Sequence, residues 1–149
     1  CMATFTYSAH ILGAGPTGSL AALALASTGC RVTIHDPQTA TDLSSRSRAY
    51  AITHSSRRLL ERLELWSSLQ SDLIPFQSLD LRDSDSGGQV LFSSQDLSQS
   101  NAGHGAIGWL LDHRPLMELL LERLKSSDTV RTFFGPPPPT PAPHAARLD

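Results

Sequence analysis

Residues 9–36 read AHILGAGPTGSLAALALASTGCRVTIHD, and this stretch decides the fold of the chain. Three glycines, Gly13, Gly15 and Gly18, form the pattern G-x-G-x-x-G after a short apolar run. An alanine-rich helical pattern follows, and a further glycine separates it from a second strand that ends at Asp36. The stretch therefore predicts a complete β-α-β unit of the dinucleotide-binding α/β type.

Each glycine has its own physical role in such a unit. Gly13 allows a tight turn out of the strand, Gly15 lets the backbone approach a pyrophosphate, and Gly18 lets the helix pack close to the strand. The first helical turn offers amide groups that have no helical acceptor, and the positive end of the helix dipole faces the same phosphate. Pro16 suits this turn because proline has no amide hydrogen to leave unpaired.

Asp36 lies eighteen positions after Gly18, close to the spacing of about twenty residues expected for an acid that binds the adenosine ribose. A carboxylate there would accept hydrogen bonds from the ribose hydroxyls and would disfavour a 2′-phosphate. Ala22 supplies a small side chain where the helix meets the sheet. A glycine-rich turn that binds no ligand is the alternative, and the combined spacing favours dinucleotide binding.

The composition excludes several classes of protein. The chain has 149 residues and a net charge of -2, which suits one domain and gives no sign of nucleic-acid binding. Its six histidines are scattered, and Cys1 and Cys30 have no metal or redox spacing, so we assign no metal ligand and no catalytic residue. We find no apolar run long enough to span a bilayer and no secretory signal, which favours a cytoplasmic protein.

Residues 37–48 are polar and are predicted to form a loop near the nucleotide. Arg46 and Arg48 could reach a phosphate or a ribose from this loop, and Arg48 is the stronger candidate. A solvated basic loop that binds nothing is the alternative.

The next predicted helix begins after its N-cap, Thr53, and runs through Glu64. Its leucines share one face at helical spacing, which predicts that this face is buried. Its charged residues, Arg57 among them, fall on the other face, which we interpret as solvated. Trp66 closes the helix and is assigned to packing.

Residues 76–111 predict an antiparallel insertion in the α/β domain. Strands at 76–83 and 89–93 flank a turn rich in Ser, Asp and Gly and form a hairpin. A polar loop follows at 94–105, and a third strand at 106–111. A plain NAD-binding fold would instead continue directly with strand and helix.

A further helix and strand complete the predicted domain, residues 1–134. Asp112 is the predicted cap of this helix and Pro115 lies in its first turn, while His113 is interpreted as a capping or surface histidine. The strand at 129–134 should lie parallel to the second strand and beside it, because crossovers between parallel strands are right-handed.

Three motifs carry a resemblance to a known family. They are GAGPTGS at 13–19, RSRAYAIT at 46–53 with the leucine-rich helix after it, and GWLLDHRPLMELLLERL at 108–124. In this order they resemble the N-terminal part of the FAD-dependent aromatic hydroxylases, in particular the ubiquinone-biosynthesis hydroxylases. The resemblance covers residues 9–134, and the second and third motifs are more specific than the first.

The resemblance implies an FAD cofactor, NAD(P)H and O2 as co-substrates, and an aromatic small-molecule substrate such as a quinone precursor, which would favour peripheral contact with a membrane. Asp36, where many relatives carry Glu, would bind the ribose. Arg48 and Arg114 match arginines that reach FAD, and Val130 matches a position near the adenine-side strand. The implied cofactor-binding residues are Gly13, Gly15, Pro16, Thr17, Gly18, Asp36, Arg48, Arg114 and Val130.

The family's second FAD motif, which contains Gly-Asp, does not occur in the sequence. Residues 135–149 contain six prolines and predict an extended or disordered tail instead. We therefore expect an incomplete FAD-binding domain, Rossmann-like with a parallel sheet and an antiparallel insertion, that lacks a complete active site by itself. Two other hypotheses stay open: an NAD-binding dehydrogenase domain, and a truncated, non-catalytic fragment that binds nucleotides.

Overall fold

The structure, a computed structural model, describes residues 6–93 and 105–137. The strands are β1 Ser8–Leu12, β2 Arg31–Asp36, β3 Ala49–Ile52, β4 Ile74–Phe76, β5 Ser78–Arg82, β6 Gln89–Ser93, β7 Gly108–Asp112 and β8 Val130–Phe134. The helices are α1 Pro16–Ser27, α2 Ala40–Ser44, α3 His54–Arg62, α4 Trp66–Leu69 and α5 His113–Ser126, with a 3₁₀ turn at Gln70–Asp72. In the ranges described, no helix has the length and hydrophobicity that a bilayer-spanning segment needs.

A parallel sheet of three strands, in the order β1-β2-β8, forms the first layer. β2 lies at its centre, and its Val32 and Ile34 side chains are buried beneath α1 and α5, which pack against each other. β8 pairs with β2 in parallel, with Asp36 opposite Phe134. The predicted α/β class and the predicted parallel pairing of the last strand are confirmed.

β1 is an edge strand within the part of the chain that the structure describes, because it pairs with β2 alone. Ala9 and Ile11 pack against the core, whereas Leu12 is 85% exposed. The apolar run before the glycines predicts a buried parallel strand, and this prediction is wrong for one face of β1. The reason is that α1 and α5 cover a single side of the sheet.

A second sheet holds the antiparallel strands β3-β7-β4. The sequence does not predict β3, since four residues are too few to show a clear alternation, and its partner lies far along the chain, with Ala51 opposite Leu110. The predicted hairpin is confirmed as β5 and β6, which form a two-stranded sheet of their own. The predicted third strand, β7, therefore joins β3 and β4 and does not extend the hairpin.

A short helix, α2, occupies part of the segment that is predicted as a loop at 37–48. Thr39 caps this helix, because its side-chain oxygen accepts a hydrogen bond from the amide of Asp42 at 3.2 Å. Leu43 alone is buried among the residues of α2. Its sequence therefore carries no apolar period from which a helix could be predicted.

α3 begins after its predicted N-cap, since the Thr53 side chain accepts a hydrogen bond from the amide of Ser56 at 3.1 Å. The interpretation of Arg57 as a solvated residue is wrong, because its guanidinium lies 4.7 Å from the Trp66 ring centre and 5.1 Å from that of Trp109. The two indole rings meet edge to face at 5.0 Å. Trp66 therefore packs as predicted, although it opens α4 and does not close α3.

The chain bends sharply after β8. Gly135, with φ at 102°, donates its amide hydrogen to the carbonyl oxygens of Asp36 and Gln38, each at 3.0 Å. This bend carries the next two prolines across the end of the sheet. The remainder of the predicted proline-rich tail, and all but the last residue of the predicted loop at 94–105, lie outside the described residues.

Candidate functional site

The carboxyl edge of the parallel sheet gathers most of the predicted binding residues. β1 leads into Gly13 and then α1, β2 ends at Asp36, and β8 ends beside it at Phe134. α1 and α5 each precede a parallel strand, so both helices run back along the sheet and begin at this edge. Open α/β sheets bind ligands outside the carboxyl ends of their strands.

The first half of the glycine-rich loop is fixed onto β2 by hydrogen bonds. Gly13 donates its amide to the carbonyl of His35 at 2.7 Å, and Ala14 donates its amide to Oδ2 of Asp36 at 2.9 Å. The buried hydroxyl of Ser19 donates to the carbonyl of Ala14 at 2.9 Å. The loop is therefore held in a defined conformation by the protein itself.

The three glycines differ in what surrounds them. Gly13 has φ at 103°, a conformation that side chains disfavour, and a Cβ on Gly18 would collide with the carbonyl oxygen of Gly13. Gly15 has an ordinary φ of -67°, and a Cβ there would meet no protein atom within 4 Å. The backbone and the packing therefore require glycine at 13 and 18, while Gly15 faces open space.

The second half of the loop presents amide groups to that space. Gly15 is the N-cap of α1, and the first helical hydrogen bond runs from the amide of Ser19 to the Gly15 carbonyl at 2.9 Å. The amides of Thr17 and Gly18 precede this bond, so they have no acceptor within the helix. Pro16 occupies the first helical position, as predicted. This helix end is electrostatically suited to an anion.

The Asp36 carboxylate holds the loop as well as facing the edge of the sheet. Oδ2 accepts from the amide of Ala14 at 2.9 Å and Oδ1 accepts from the amide of Gln38 at 2.8 Å. The residue is only 9% exposed. Because a carboxylate can accept about four hydrogen bonds, each oxygen keeps capacity for a further donor. We call the hydrogen bond between the Ala14 amide and the Asp36 carboxylate the clamp. The sequence does not predict this clamp, because the hydrogen bond depends on the direction in which the Ala14 amide points.

An apolar hollow of ≈ 550 Å³ lies next to Asp36 and Gly13. Phe133 and Phe134 form part of it, and the Phe133 ring stacks on that of His35 at 5.1 Å. Sequence reasoning passed over both phenylalanines, although the predicted pairing of the last strand with β2 places them at this edge. The lining residues are Leu12, Gly13, His35, Asp36, Pro37, Phe133, Phe134, Gly135, Pro136 and Pro137.

Val130 does not lie with the other predicted residues. It opens β8, pairs in register with Val32, and is buried in the core. Phe134, at the carboxyl end, lies four positions later, which corresponds to about 13 Å along a strand. The structure therefore gives the Val130 side chain a packing position beneath the sheet and not a place at its edge.

A second hollow, of ≈ 370 Å³, contains Arg46, Arg48 and Arg114. We call it the arginine cleft. Within residues 6–93 and 105–137, none of these three guanidinium groups takes part in an ion pair. The cleft therefore offers unneutralised positive charge to an anion. Its lining residues are Ser45, Arg46, Ser47, Arg48, Asp112, His113, Arg114 and Pro115.

The interpretation of His113 as a capping or surface histidine is wrong. The residue is 2% exposed, and both ring nitrogens are hydrogen-bonded: Nε2 to the carbonyl of Leu43 at 2.6 Å and Nδ1 to the hydroxyl of Tyr50 at 2.7 Å. Asp112 does occupy the N-cap position of α5, but its side chain makes no capping hydrogen bond. These partners of His113 lie 70 and 63 positions away in sequence, so no local pattern reveals them.

Comparison with known families gives a match over residues 6–79, to the family described as FAD binding domain. This match confirms the predicted cofactor class, FAD, and it begins before the glycine loop and ends after the arginine-bearing segment at 46–48. The dehydrogenase alternative is not supported.

Curated and solved relatives agree with this match. An uncharacterised protein of Synechocystis sp. is 27% identical over 100 residues, covering 67% of this chain and 24% of that protein. The ubiquinone hydroxylase UbiM of Neisseria meningitidis is 25% identical over 124 residues, covering 80% of this chain and 27% of UbiM. The crystal structure of p-nitrophenol 4-monooxygenase PnpA from Pseudomonas putida superposes with a TM-score of 0.64 at 21% identity, covering 89% of this chain and 32% of PnpA.

The chain thus spans 24% and 27% of the length of these two curated relatives. The likeness to PnpA, at 21% identity, shows a shared fold. The predicted resemblance to the N-terminal part of the hydroxylases is confirmed.

Proposed function

We propose that this chain, whose residues 6–79 match the FAD binding domain family, is the N-terminal FAD-binding region of an enzyme that hydroxylates an aromatic small molecule. The observation that carries the proposal is the open space beside Gly15. Neither φ nor packing explains glycine there, whereas close approach of a pyrophosphate does. Relatives that carry hydroxylase or monooxygenase names support the reaction class.

We assign the diphosphate to the amino end of α1. The amides of Thr17 and Gly18 would donate to its oxygens, and Pro16 would start the helix without contributing a donor. Because the Gly13 and Ala14 amides already bond to β2, the loop is organised before the ligand arrives. A preformed site of this kind reduces the entropy lost on binding.

The adenosine would lie between Asp36 and the apolar hollow. The two carboxylate oxygens keep lone pairs for the ribose hydroxyls, and the Phe133 and Phe134 side chains offer apolar surface to the base. Val130, a contact implied by the resemblance, would support this strand from the core. The amide donors of α1, the Asp36 carboxylate and the apolar hollow follow one another in the same order as the diphosphate, ribose and adenine of FAD.

The arginine cleft would receive a further part of the cofactor. Arg48 and Arg114 would supply charge-assisted hydrogen bonds there, with Arg46 beside them. When bound, the flavin would supply the redox chemistry, in which NAD(P)H, a proton and O2 convert an aromatic C–H to C–OH and release NAD(P)+ and water. The residues of this chain would bind and orient the cofactor, and we assign none of them to catalysis.

Binding titrations test the proposal against the NAD-binding alternative. The purified chain is titrated with FAD, followed by quenching of flavin fluorescence, and separately with NADH. We expect saturable FAD binding that ADP competes away, because ADP carries the diphosphate, ribose and adenine. Preference for NADH over FAD, or no retention of FAD, would contradict the assignment.

A quinone-like substrate would bring the protein to a membrane surface, and we propose such peripheral contact together with a cytoplasmic location. The exposed Leu81, Val90 and Leu91 side chains of the β5–β6 hairpin supply apolar surface of the kind that such contact uses. Sedimentation with vesicles of neutral and anionic phospholipid measures the contact, and a chain that stays in the supernatant with both would exclude it.

A further inference from the structure

His113 connects three separate segments around the arginine cleft. Its Nε2 lies 2.6 Å from the carbonyl of Leu43 in α2, and its Nδ1 lies 2.7 Å from the hydroxyl of Tyr50 in β3. Its backbone amide donates to the carbonyl of Arg48 at 2.7 Å. The backbone amide and both ring nitrogens of His113 therefore all form hydrogen bonds with residues that are distant in sequence.

The partners fix the tautomer of the imidazole. A backbone carbonyl can only accept, so Nε2 carries the hydrogen that bonds to Leu43. In the neutral imidazole with its hydrogen on Nε2, Nδ1 is an acceptor to which the Tyr50 hydroxyl donates. His113 is 2% exposed, so water cannot replace either partner without a rearrangement of the site.

These contacts define where the loop at 45–48 lies. The loop is exposed and carries Arg46 and Arg48, and His113 holds the chain at Leu43, before the loop, and at Arg48, its last residue. Arg114 follows His113 directly on α5. His113 thus fixes the loop arginines relative to the helix arginine that shares the cleft with them, through its buried side chain at Leu43 and its backbone amide at Arg48.

We propose that His113 and Tyr50 are positioning residues of the FAD site, which act by holding the loop at 45–48 against the amino end of α5. This inference rests on the proposed function, because the arginine cleft matters to FAD only if the chain binds FAD. Neither side chain needs to touch the cofactor. Their effect passes through the placement of Arg48 relative to Arg114.

The first test removes one oxygen atom with Tyr50→Phe, which leaves Nδ1 of His113 without its donor. We expect FAD binding to weaken by about tenfold, the scale on which loss of an outer-shell hydrogen bond weakens metal binding in proteins. Tyr7→Phe is the matched control, since Tyr7 is 78% exposed, and it should leave FAD affinity unchanged. His113→Gln, whose amide can still donate to the Leu43 carbonyl, should bind FAD better than His113→Ala.

A double-mutant cycle separates positioning from a general loss of stability. In a chain that already carries Arg48→Ala, Tyr50→Phe should have little further effect on the FAD dissociation constant, because the arginine through which it acts is gone. In a chain that carries Arg131→Ala, at the other end of the parallel sheet, the full effect of Tyr50→Phe should remain. Additive effects in the Arg48→Ala background would overturn the inference.

The outcomes distinguish this inference from the proposed function. If the unmodified chain binds FAD and Tyr50→Phe binds it equally well, the inference fails and the proposed function stands. If the unmodified chain retains no FAD, both fail. Should Tyr50→Phe unfold, the comparison of His113→Gln with His113→Ala decides, and equal affinities in that pair would count against positioning.

Discussion

Three glycines that are alike in the sequence have three different physical constraints in the structure. Gly13 needs a positive φ, Gly18 needs room against the Gly13 carbonyl, and Gly15 has an ordinary backbone with open space beside it. The fingerprint spacing predicts that all three lie between the first strand and the first turn of the helix, where the structure has them, but it does not say which of them the protein needs for its own folding. That distinction can be measured one substitution at a time.

Gly15→Ala should lose FAD affinity by tenfold or more while its free energy of unfolding changes by less than about 1 kcal/mol, the scale of an N-cap substitution. Gly18→Ala should lower the free energy of unfolding by about 3 kcal/mol, because the new methyl group collides with backbone that cannot move aside. Urea unfolding and flavin fluorescence measure the two quantities. A Gly15→Ala chain that binds FAD like the unmodified one would remove the main support for the site.

At the same scale, the candidate site could be predicted only in part. The positions of Gly15 and Asp36 follow from local spacing, which needs one β-α-β unit and nothing else. The clamp between Asp36 and Ala14, and the contacts of His113, depend on backbone directions and on partners such as Tyr50 that are distant in sequence. No side-chain pattern along the chain encodes those directions.

Among the elements, the hairpin of β5 and β6 has a turn that several hydrogen bonds between nearby residues stabilise. Asp83 accepts from the Ser86 hydroxyl at 2.6 Å and from the Asp85 amide at 3.0 Å, and its own amide donates to the carbonyl of Gly88 at 2.7 Å. The hydrogen bond from Ser86, followed by that from the Asp85 amide, holds the pKa of Asp83 below its ordinary value. Both hydrogen bonds favour the ionised carboxylate.

Ser86→Ala should therefore raise the pKa of Asp83 toward its ordinary value. Because the folded pKa is depressed, the stabilisation that it represents is present above the unfolded pKa and is lost as pH falls through the folded pKa. Titration of the Asp83 carboxyl carbon by NMR measures the shift. Ser84→Ala, in the same turn, is the control and should leave the titration unchanged; an equal shift in both variants would contradict the assigned cause.

The elements that the sequence predicts show a pattern within their own residues, such as apolar composition, helical spacing or a capping residue. The elements that it does not predict show no such pattern. α1 is an alanine-rich run that follows the glycine fingerprint, α5 shows helical spacing of apolar residues, and α3 shows a capping threonine. β3 has four residues and is stabilised by pairing with β7, while α2 buries a single leucine. Both are specified by tertiary contacts, which a linear pattern does not contain.

For the whole molecule, the parallel sheet is covered on one face only in the described residues. Leu12 is 85% and Phe133 is 53% exposed, whereas parallel sheets are ordinarily covered on both faces. A domain that buries one face has less apolar burial to oppose its conformational entropy. A ligand that binds only the folded state should therefore have a visible effect on its stability.

FAD at about 100 times its dissociation constant should stabilise the chain by about 2.7 kcal/mol, provided that the unfolded state does not bind it. For a domain of this size, that gain corresponds to a rise in melting temperature of about 5–10 °C. Differential scanning fluorimetry or circular dichroism with and without FAD measures the rise. The Gly15→Ala chain at the same FAD concentration should show a smaller rise, and equal rises would indicate binding elsewhere.

The bend at Gly135 joins the carboxyl end of β8 to that of β2. The Gly135 amide donates to the carbonyls of both Asp36 and Gln38, which lie on either side of the turn after β2. The width of the hollow beside Asp36 is consequently set by a residue that belongs to no dinucleotide fingerprint. Any side chain at 135 would have to leave this conformation, and the two prolines that wall the hollow would swing with it. In the proposed complex, the size of the purine-like group that can enter would thus depend on a bend that follows β8.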